Sequence, residues 1–356
     1  MSGSSIRRYE REVTSLAPRA LVGMRKSYSW VLTLVLWGML LCMARLAVAA
    51  DEPSILDRYP GRMIALADHR IHLYCVGHGA PTVVFESRIG GFSLEWRDVQ
   101  TRLAQRSRVC AYDRAGYGWS DASAQPADAA RSAEELYQVL TRAAEAGPYL
   151  LVGHSYGGFI LRWFARHHQE AVAGRVLLDT SAAEQFERLP AGALPLLPAA
   201  PARRAMRMPQ LPDGFPAAER TTALALMLSP KARLATVAEL RSFAASAHAL
   251  SELPDARLVV PVLVVSRGRR VFDAAAGGAA SEALWRAMQV HMTALSPRAA
   301  LWVARGASHL VHLDRPDLVA RAVLSIAAVD LGSAGFAATS QRTPTGFSPT
   351  LARYSP

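Results

Sequence analysis

The chain has 356 residues, 51% of them hydrophobic, with 40 Lys+Arg against 29 Asp+Glu and a formal net charge of +11. This composition excludes a disordered or collagen-like chain, and three cysteines exclude a disulfide-dense scaffold or a Cys-rich zinc module. Residues 1–50 hold seven basic and two acidic side chains and the remaining 306 hold 33 and 27, so the excess is diffuse. No dense Lys/Arg run interleaved with aromatics appears, which argues against a nucleic-acid partner.

Residues 28–44 carry no charge, and after Arg45 the apolar run continues to residue 50. About 20 apolar residues suffice to cross a bilayer, and an Arg near one end can snorkel. The basic leader at 1–27, with Arg7, Arg8, Arg11, Arg19, Arg25 and Lys26, predicts a cytoplasmic N-terminus and an extracytoplasmic body. The segment 28–50 is therefore expected to be a single-pass membrane anchor in contact with membrane lipid. A cleaved signal peptide is the rival reading, because Ala47-Val48-Ala49 fits a small-x-small cleavage site. Residues 332–356 are rich in Gly, Ser, Thr and Pro and read as a disordered tail. The folded body is expected at 51–331.

Within that body short apolar strands alternate with amphipathic helices. Strands are predicted at 63–67 and 71–76 (with a tight turn at Asp68-His69), 81–87, 109–113, 149–154, 175–179, 261–266 and 300–306. Helices are predicted at 93–105, 131–146, 158–168, 281–295 and 316–329. This alternation implies a mostly parallel sheet covered by helices on both faces. The stretch 181–255 breaks the rhythm with a Pro/Ala/Leu-rich region and helical segments near 218–228 and 234–250. An insertion there lies over the carboxyl ends of the strands, where open α/β sheets bind ligands, and reads as a cap or lid.

The strongest chemical signal is Gly153-His154-Ser155-Tyr156-Gly157, a G-x-S-x-G pattern. It follows the strand YLLV and opens a helix, the context in which a Ser is displayed on a sharp turn above a sheet. Small residues at 153 and 157 permit that turn, and the helix start directs backbone N–H groups toward developing negative charge.

At this point the sequence resembles the capped, esterase-like branch of the α/β-hydrolase superfamily, over roughly residues 60–330. The resemblance rests on VVFES and GGFSLEW, on YDRAGYGWSD (112–121), on LLVGHSYGG (150–158) and on GASHLVHLDRPDLV (306–319). It implies an α/β-hydrolase fold with a helical cap, a Ser nucleophile at Ser155 and a catalytic His at His309, with His312 as a decoy. Two acids fit the order Ser, acid, His. Asp179 stands at the end of a strand, a rigid position; Asp273 stands in the common family position, in a turn that is here longer and Arg-rich. The oxyanion donors implied are the backbone N–H groups of Tyr156 and Ile89. Many relatives carry His-Gly before the second donor, where this chain has Ser87-Arg88, so Arg88 is expected to change the loop or to add positive charge near the mouth. Asp113 and Arg114 read as a structural pair, and Trp119 as a packing or pocket residue.

An Asp at the elbow would point to epoxide or haloalkane chemistry, and Ser155 speaks against both. The family hydrolyses without a cofactor, and no metal-ligand motif occurs. The expected reaction is cleavage of a small apolar ester by acyl transfer to water. Amidase, peptidase or carbon–carbon hydrolase activity on the same fold, and a non-catalytic binding protein with a degenerate site, are the alternatives. The sequence leaves the oligomeric state open.

Overall fold

The computed structural model of the protein describes residues 59–190 (Pro126 aside), 193–194, 211, 215, 217–252, 259–272 and 277–328, with Trp37 on its own. Its strands are β1 (Arg62–Ala65), β2 (Arg70–Val76), β3 (Thr82–Glu86), β4 (Val109–Tyr112), β5 (Tyr149–His154), β6 (Val172–Leu178), β7 (Val262–Arg267) and β8 (Ala299–Ala304). They form one sheet in the order β1-β2-β4-β3-β5-β6-β7-β8. The β1–β2 and β2–β4 pairs are antiparallel and the rest are parallel. Every residue of β3, β5, β6 and β7 is buried, which is why these strands read as mostly apolar runs; Arg175 interrupts β6, which begins at Val172, three residues before the predicted start.

Side chains leave the sheet on alternate faces. Val83, Phe85, Leu150 and Val152 pack under Trp96 and under helices α1 (Arg97–Leu103) and α9 (Pro316–Ala327) through Val99, Leu318 and Val323. Val84, Leu151 and Cys110 face the other way, onto α2 (Ala129–Arg142) and α3 (Gly157–His167), through Leu136, Leu140 and Phe164. The helix predicted at 93–105 opens as a 3₁₀ turn, Ser93–Trp96. Two bonds pin that turn: Ser93 N donates to Asp113 Oδ1 (2.7 Å) and Trp96 Nε1 to Ser87 Oγ (2.8 Å).

A helical cap is inserted between β6 and β7. Its helices are α4 (Gln185–Arg188), α5 (Arg220–Leu228) and α6 (Pro230–Ser251). Ser229 caps α6 by accepting from Ala232 N at 3.3 Å, and Pro230 fits the first turn, where its missing N–H is not needed. After the cap come α7 (Gly278–His291) and α8 (Val311–Asp314).

The expected membrane anchor needs correction. Among the described residues no helix is long and apolar enough to cross a membrane. The longest, α6, carries Lys231, Arg233, Glu239 and Arg241, and it buries one stripe rather than its whole circumference. Residues 28–50 lie outside the described residues apart from Trp37, as do the leader and the tail at 332–356. The membrane-lipid partner and the single-pass placement have no structural support and are not retained.

A disulfide not foreseen in the sequence joins Cys75 to Cys110, which face each other directly across the β2–β4 pair. Glu145 lies beside both sulfurs. With the sulfurs bonded to each other and Glu145 held by Arg62 and Arg108, this trio has no free donor set for a metal.

Candidate active site

Ser155 sits between the end of β5 and the start of α3 with φ 53°, a left-handed conformation rare for a residue with a side chain. The surroundings over-determine it. Ser155 N donates to Leu178 O at 3.3 Å, and Ser155 O accepts from Ser181 N at 3.0 Å. A Cβ at Gly157 would lie 2.6 Å from Glu86 O, and one at Gly153 would lie 2.8 Å from Leu161 Cδ1. The contact at Gly157 is with backbone and requires glycine there, whereas the one at Gly153 is with the end of a side chain and favours a small residue. Strain held this way is a mark of functional sites.

His309 lies in the loop between β8 and α8. Asp314 Oδ2 accepts from Ser308 N and Ser308 Oγ, both at 2.6 Å, and closes that loop. The ring of His154, buried beneath it, bonds through Nε2 to His309 O at 2.7 Å. A carbonyl only accepts, so His154 carries its proton on Nε2. Burial holds His154 well below the usual His range, with His312 and His309 adding to the effect, so it is a neutral prop.

His309 Nε2 is 3.0 Å from Ser155 Oγ, and His309 Nδ1 is 2.7 Å from Asp179 Oδ2. Asp179 closes β6 with φ 43° and is fully buried. Its Oδ1 accepts from Arg267 N (3.1 Å) and Trp285 Nε1 (2.8 Å), and its Oδ2 also accepts from Arg267 Nη1 (2.8 Å). Burial pushes the Asp179 carboxyl up, but the His309 bond, the Arg267 charge and Trp285 outweigh it and hold it below the usual carboxylate range. An ionised Asp179 fixes the proton on Nδ1 and leaves Nε2 free to accept from Ser155. Arg267 is itself shared with Glu282 Oε2 at 3.2 Å and lies over the rings of Phe272 and Trp285. The alternative acid, Asp273, lies outside the described residues.

His312 is buried, stacked on Trp96 with ring centroids 4.4 Å apart, and faces Glu95 rather than Ser155. Trp119 is buried against His72 and is a packing residue. Tyr156 occupies the N-terminal end of α3, where backbone N–H groups have no partner within the helix. Ile89 lies in the loop after β3.

Two expectations about charge are corrected. Arg88 does not present a free charge at the mouth: its Nη2 bonds Glu95 Oε1 at 2.6 Å and its Nη1 bonds Ile89 O at 2.9 Å. Asp113 and Arg114 do not pair with each other. Asp113 bonds His72 Nδ1 (2.8 Å) and the amides of Ser93 and Trp119. Arg114 reaches Glu86, Glu239 and two carbonyls of the loop after β3. Partner choice across separated segments is a tertiary matter that adjacency in sequence does not report.

Sequence reasoning missed Arg267, Trp285, Glu86 and Glu239. A signal existed for Glu239: it falls on the stripe Ala232, Glu239, Phe243, Ser246, Ala247, Leu250 that α6 buries, and a charge on such a stripe demands a partner.

Residues 73–322 match the Alpha/beta hydrolase family. The chain belongs to that family. An uncharacterized protein of Schizosaccharomyces pombe is 35% identical over 110 residues, which is 31% of this chain and 20% of that protein. The chain thus matches about a fifth of that relative's length. An uncharacterized Bacillus subtilis protein is 26% identical over 250 residues, covering 70% of this chain and 85% of its own length. Among solved structures, a mutant of a putative epoxide hydrolase from Pseudomonas aeruginosa superposes with a TM-score of 0.59 at 21% identity, covering 74% of this chain and 93% of that one. At that identity the likeness is one of fold.

Proposed function

We propose that this α/β-hydrolase is a serine hydrolase that cleaves a small apolar ester by acyl transfer to water. The observation that carries the reading is the hydrogen-bonded chain Ser155–His309–Asp179, with Ser155 held at positive φ. A Ser hydroxyl is a poor nucleophile until a base takes its proton. His309 Nε2, 3.0 Å away, takes it as Oγ attacks the acyl carbon. Asp179 orients the ring and stabilises the imidazolium. The backbone N–H groups of Tyr156 and Ile89 receive the oxyanion. His309 then protonates the leaving alcohol, and water activated by the same ring cleaves the acyl-enzyme.

Epoxide opening is disfavoured by the same chemistry. Alkylation of Ser155 by an epoxide would leave an ether, which a base and an oxyanion hole cannot hydrolyse; an acyl ester they can. The apolar preference rests on the Leu-, Ala- and Met-rich composition of the insertion at 181–255.

Covalent labelling by a fluorophosphonate, compared between wild type and Ser155→Ala, tests the reading. Labelling that depends on Ser155 is expected, together with turnover of p-nitrophenyl esters. Absence of both across acyl chains of graded length would sink the proposal.

A further inference from the structure

Arg114 is nearly fully buried, and all five of its guanidinium N–H groups are used. Nε donates to Glu239 Oε1 at 2.7 Å. Nη1 donates to Glu86 Oε1 at 2.6 Å and to Ser87 O at 2.8 Å. Nη2 donates to Arg88 O at 2.8 Å and to Glu239 Oε2 at 3.0 Å. One rigid, planar fork therefore grips three things: strand β3, the loop that follows it, and the cap helix α6.

The grip on the loop falls on one informative atom. Arg88 O and the Ile89 N–H belong to the same peptide unit. That peptide is trans, since the cis bonds among the described residues are Ala80–Pro81 and Gly147–Pro148. In a planar trans peptide the carbonyl and the N–H point in opposite directions. Arg114 Nη2 and Gly91 N (3.0 Å) both hold the Arg88 carbonyl from one side, which directs the Ile89 N–H to the other. Arg114 also lies over the ring of Tyr156, 5.9 Å from its centroid. It thus stands beside the residue bearing the other proposed oxyanion donor.

The cap holds the far side of this fork. Besides its two bonds to Arg114, Glu239 accepts from Tyr117 Oη at 2.8 Å. Helix α6 comes so close that a Cβ at Gly116 would lie 2.8 Å from Ala235 Cβ, and one at Gly90 would lie 3.7 Å from Thr236 Oγ1. Lys231 Nζ donates to Ser120 O at 2.6 Å. Glu239 is the cap group that grips the guanidinium which orients the loop peptide.

We propose that Glu239 is a positioning residue: acting through Arg114, it orients the Arg88–Ile89 peptide, so that seating the cap helix and assembling the oxyanion hole are one event. The inference rests on the serine-hydrolase reading above. A purely structural anchor would affect folding or substrate retention. A positioning role falls on the step in which charge develops on the acyl oxygen, and so on kcat.

The test compares wild type, Glu239→Ala, Glu239→Gln and Arg114→Lys in the full chain. Two readouts are taken: kcat and KM on a p-nitrophenyl ester, and hydrogen exchange at the Gly91 amide, which bonds Arg88 O. Glu239→Ala is expected to lower kcat ten- to hundredfold with KM within threefold, and to speed Gly91 exchange at least tenfold. Glu239→Gln keeps the shape but sets an NH₂ against a donor of Arg114 or Tyr117, so it should fall between wild type and Glu239→Ala in both kcat and Gly91 exchange. Arg114→Lys keeps the charge but loses the fork; it should reproduce the loss, and it decides the matter should Glu239→Ala not fold. Wild-type kcat in both disrupting variants, a loss confined to KM, or unchanged Gly91 exchange would each overturn the proposal. A wild type with no Ser155-dependent ester turnover would instead refute the hydrolase reading, and Gly91 exchange would still decide whether the cap orients the loop.

Discussion

Replacing Asp179 by Asn removes one charge and almost no volume, so its effect follows from the hydrogen-bond inventory. The carboxylate accepts four bonds: from Arg267 N and Trp285 Nε1 on Oδ1, and from Arg267 Nη1 and His309 Nδ1 on Oδ2. All four partners are donors, whereas an amide offers one oxygen and one NH₂. In either orientation two donors meet a donor. With the NH₂ at Oδ2, His309 can relieve the clash by moving its proton to Nε2, which then faces Ser155 as a donor and cannot act as base. Loss of the correct tautomer in a Ser-His-Asp site lowers kcat by about 10⁴. The stability term is separable. Removing one partner of a buried pair typically costs about 3–5 kcal/mol, and Glu282, 3.2 Å from Arg267 Nη2, places this case toward the low end. Initial rates on p-nitrophenyl esters and urea unfolding should therefore show a loss of roughly 10³–10⁴ in kcat in a protein that still folds. Asp273→Asn should stay within about threefold of wild type, since Asp179 already holds His309 Nδ1 and fixes the tautomer. An Asp179→Asn variant within tenfold of wild type would refute this reasoning, and a collapse in Asp273→Asn would transfer the acid role.

Glu86 is buried beside Arg114, Tyr112 and Glu239; burial raises its carboxyl to about 7, against the pull of Arg114. The folded state then keeps a proton that the unfolded state loses near 4.5, so this contribution is full below pH 4.5 and is lost as pH rises through about 7. Its size is at most about 3 kcal/mol. Urea unfolding at pH 5 and pH 8 should show a smaller decline in Glu86→Gln than in wild type, and equal slopes would contradict the assignment. The Cys75–Cys110 bond closes a separation of 35 residues, worth about 3–4 kcal/mol in the chain-entropy account. The double Cys→Ser variant should lose about that much in denaturant unfolding; an unchanged midpoint would show that the bond is not formed in solution. Gly157→Ala sets a Cβ 2.6 Å from Glu86 O and should depress esterase activity at least tenfold, and a fully active variant would argue against the tight turn.

Much of the fold was legible because its signals are local. Mostly apolar runs marked β3, β5, β6 and β7, and Gly153-x-Ser155-x-Gly157 between a strand and a helix marked the sharp turn, since a left-handed Ser at close backbone approach favours small neighbours. The insertion at 181–255 announced the cap by breaking the alternation. The apolar run at 28–50 behind its basic leader reads as a membrane span, but among the described residues no helix is long and apolar enough to cross a membrane.

Other features depended on distances that no local pattern encodes. Residues 155, 179 and 309 meet only because β5, β6 and β7–β8 run parallel and deliver their carboxyl ends to one side of the sheet. Cys75 and Cys110 face each other only through the antiparallel register of β2 on β4. Arg114 stands next to Asp113 in the chain, yet its partners are Glu86 on β3 and Glu239 on the cap, 125 residues away. A buried guanidinium must find acceptors wherever the fold brings them, because leaving any of its five donors unpaired in the interior is unfavourable. The sequence by itself determined the family of fold, the sharp turn at Ser155 and the place of the cap. Only the tertiary structure decided which charges compensate one another, and so which residues hold the site in shape.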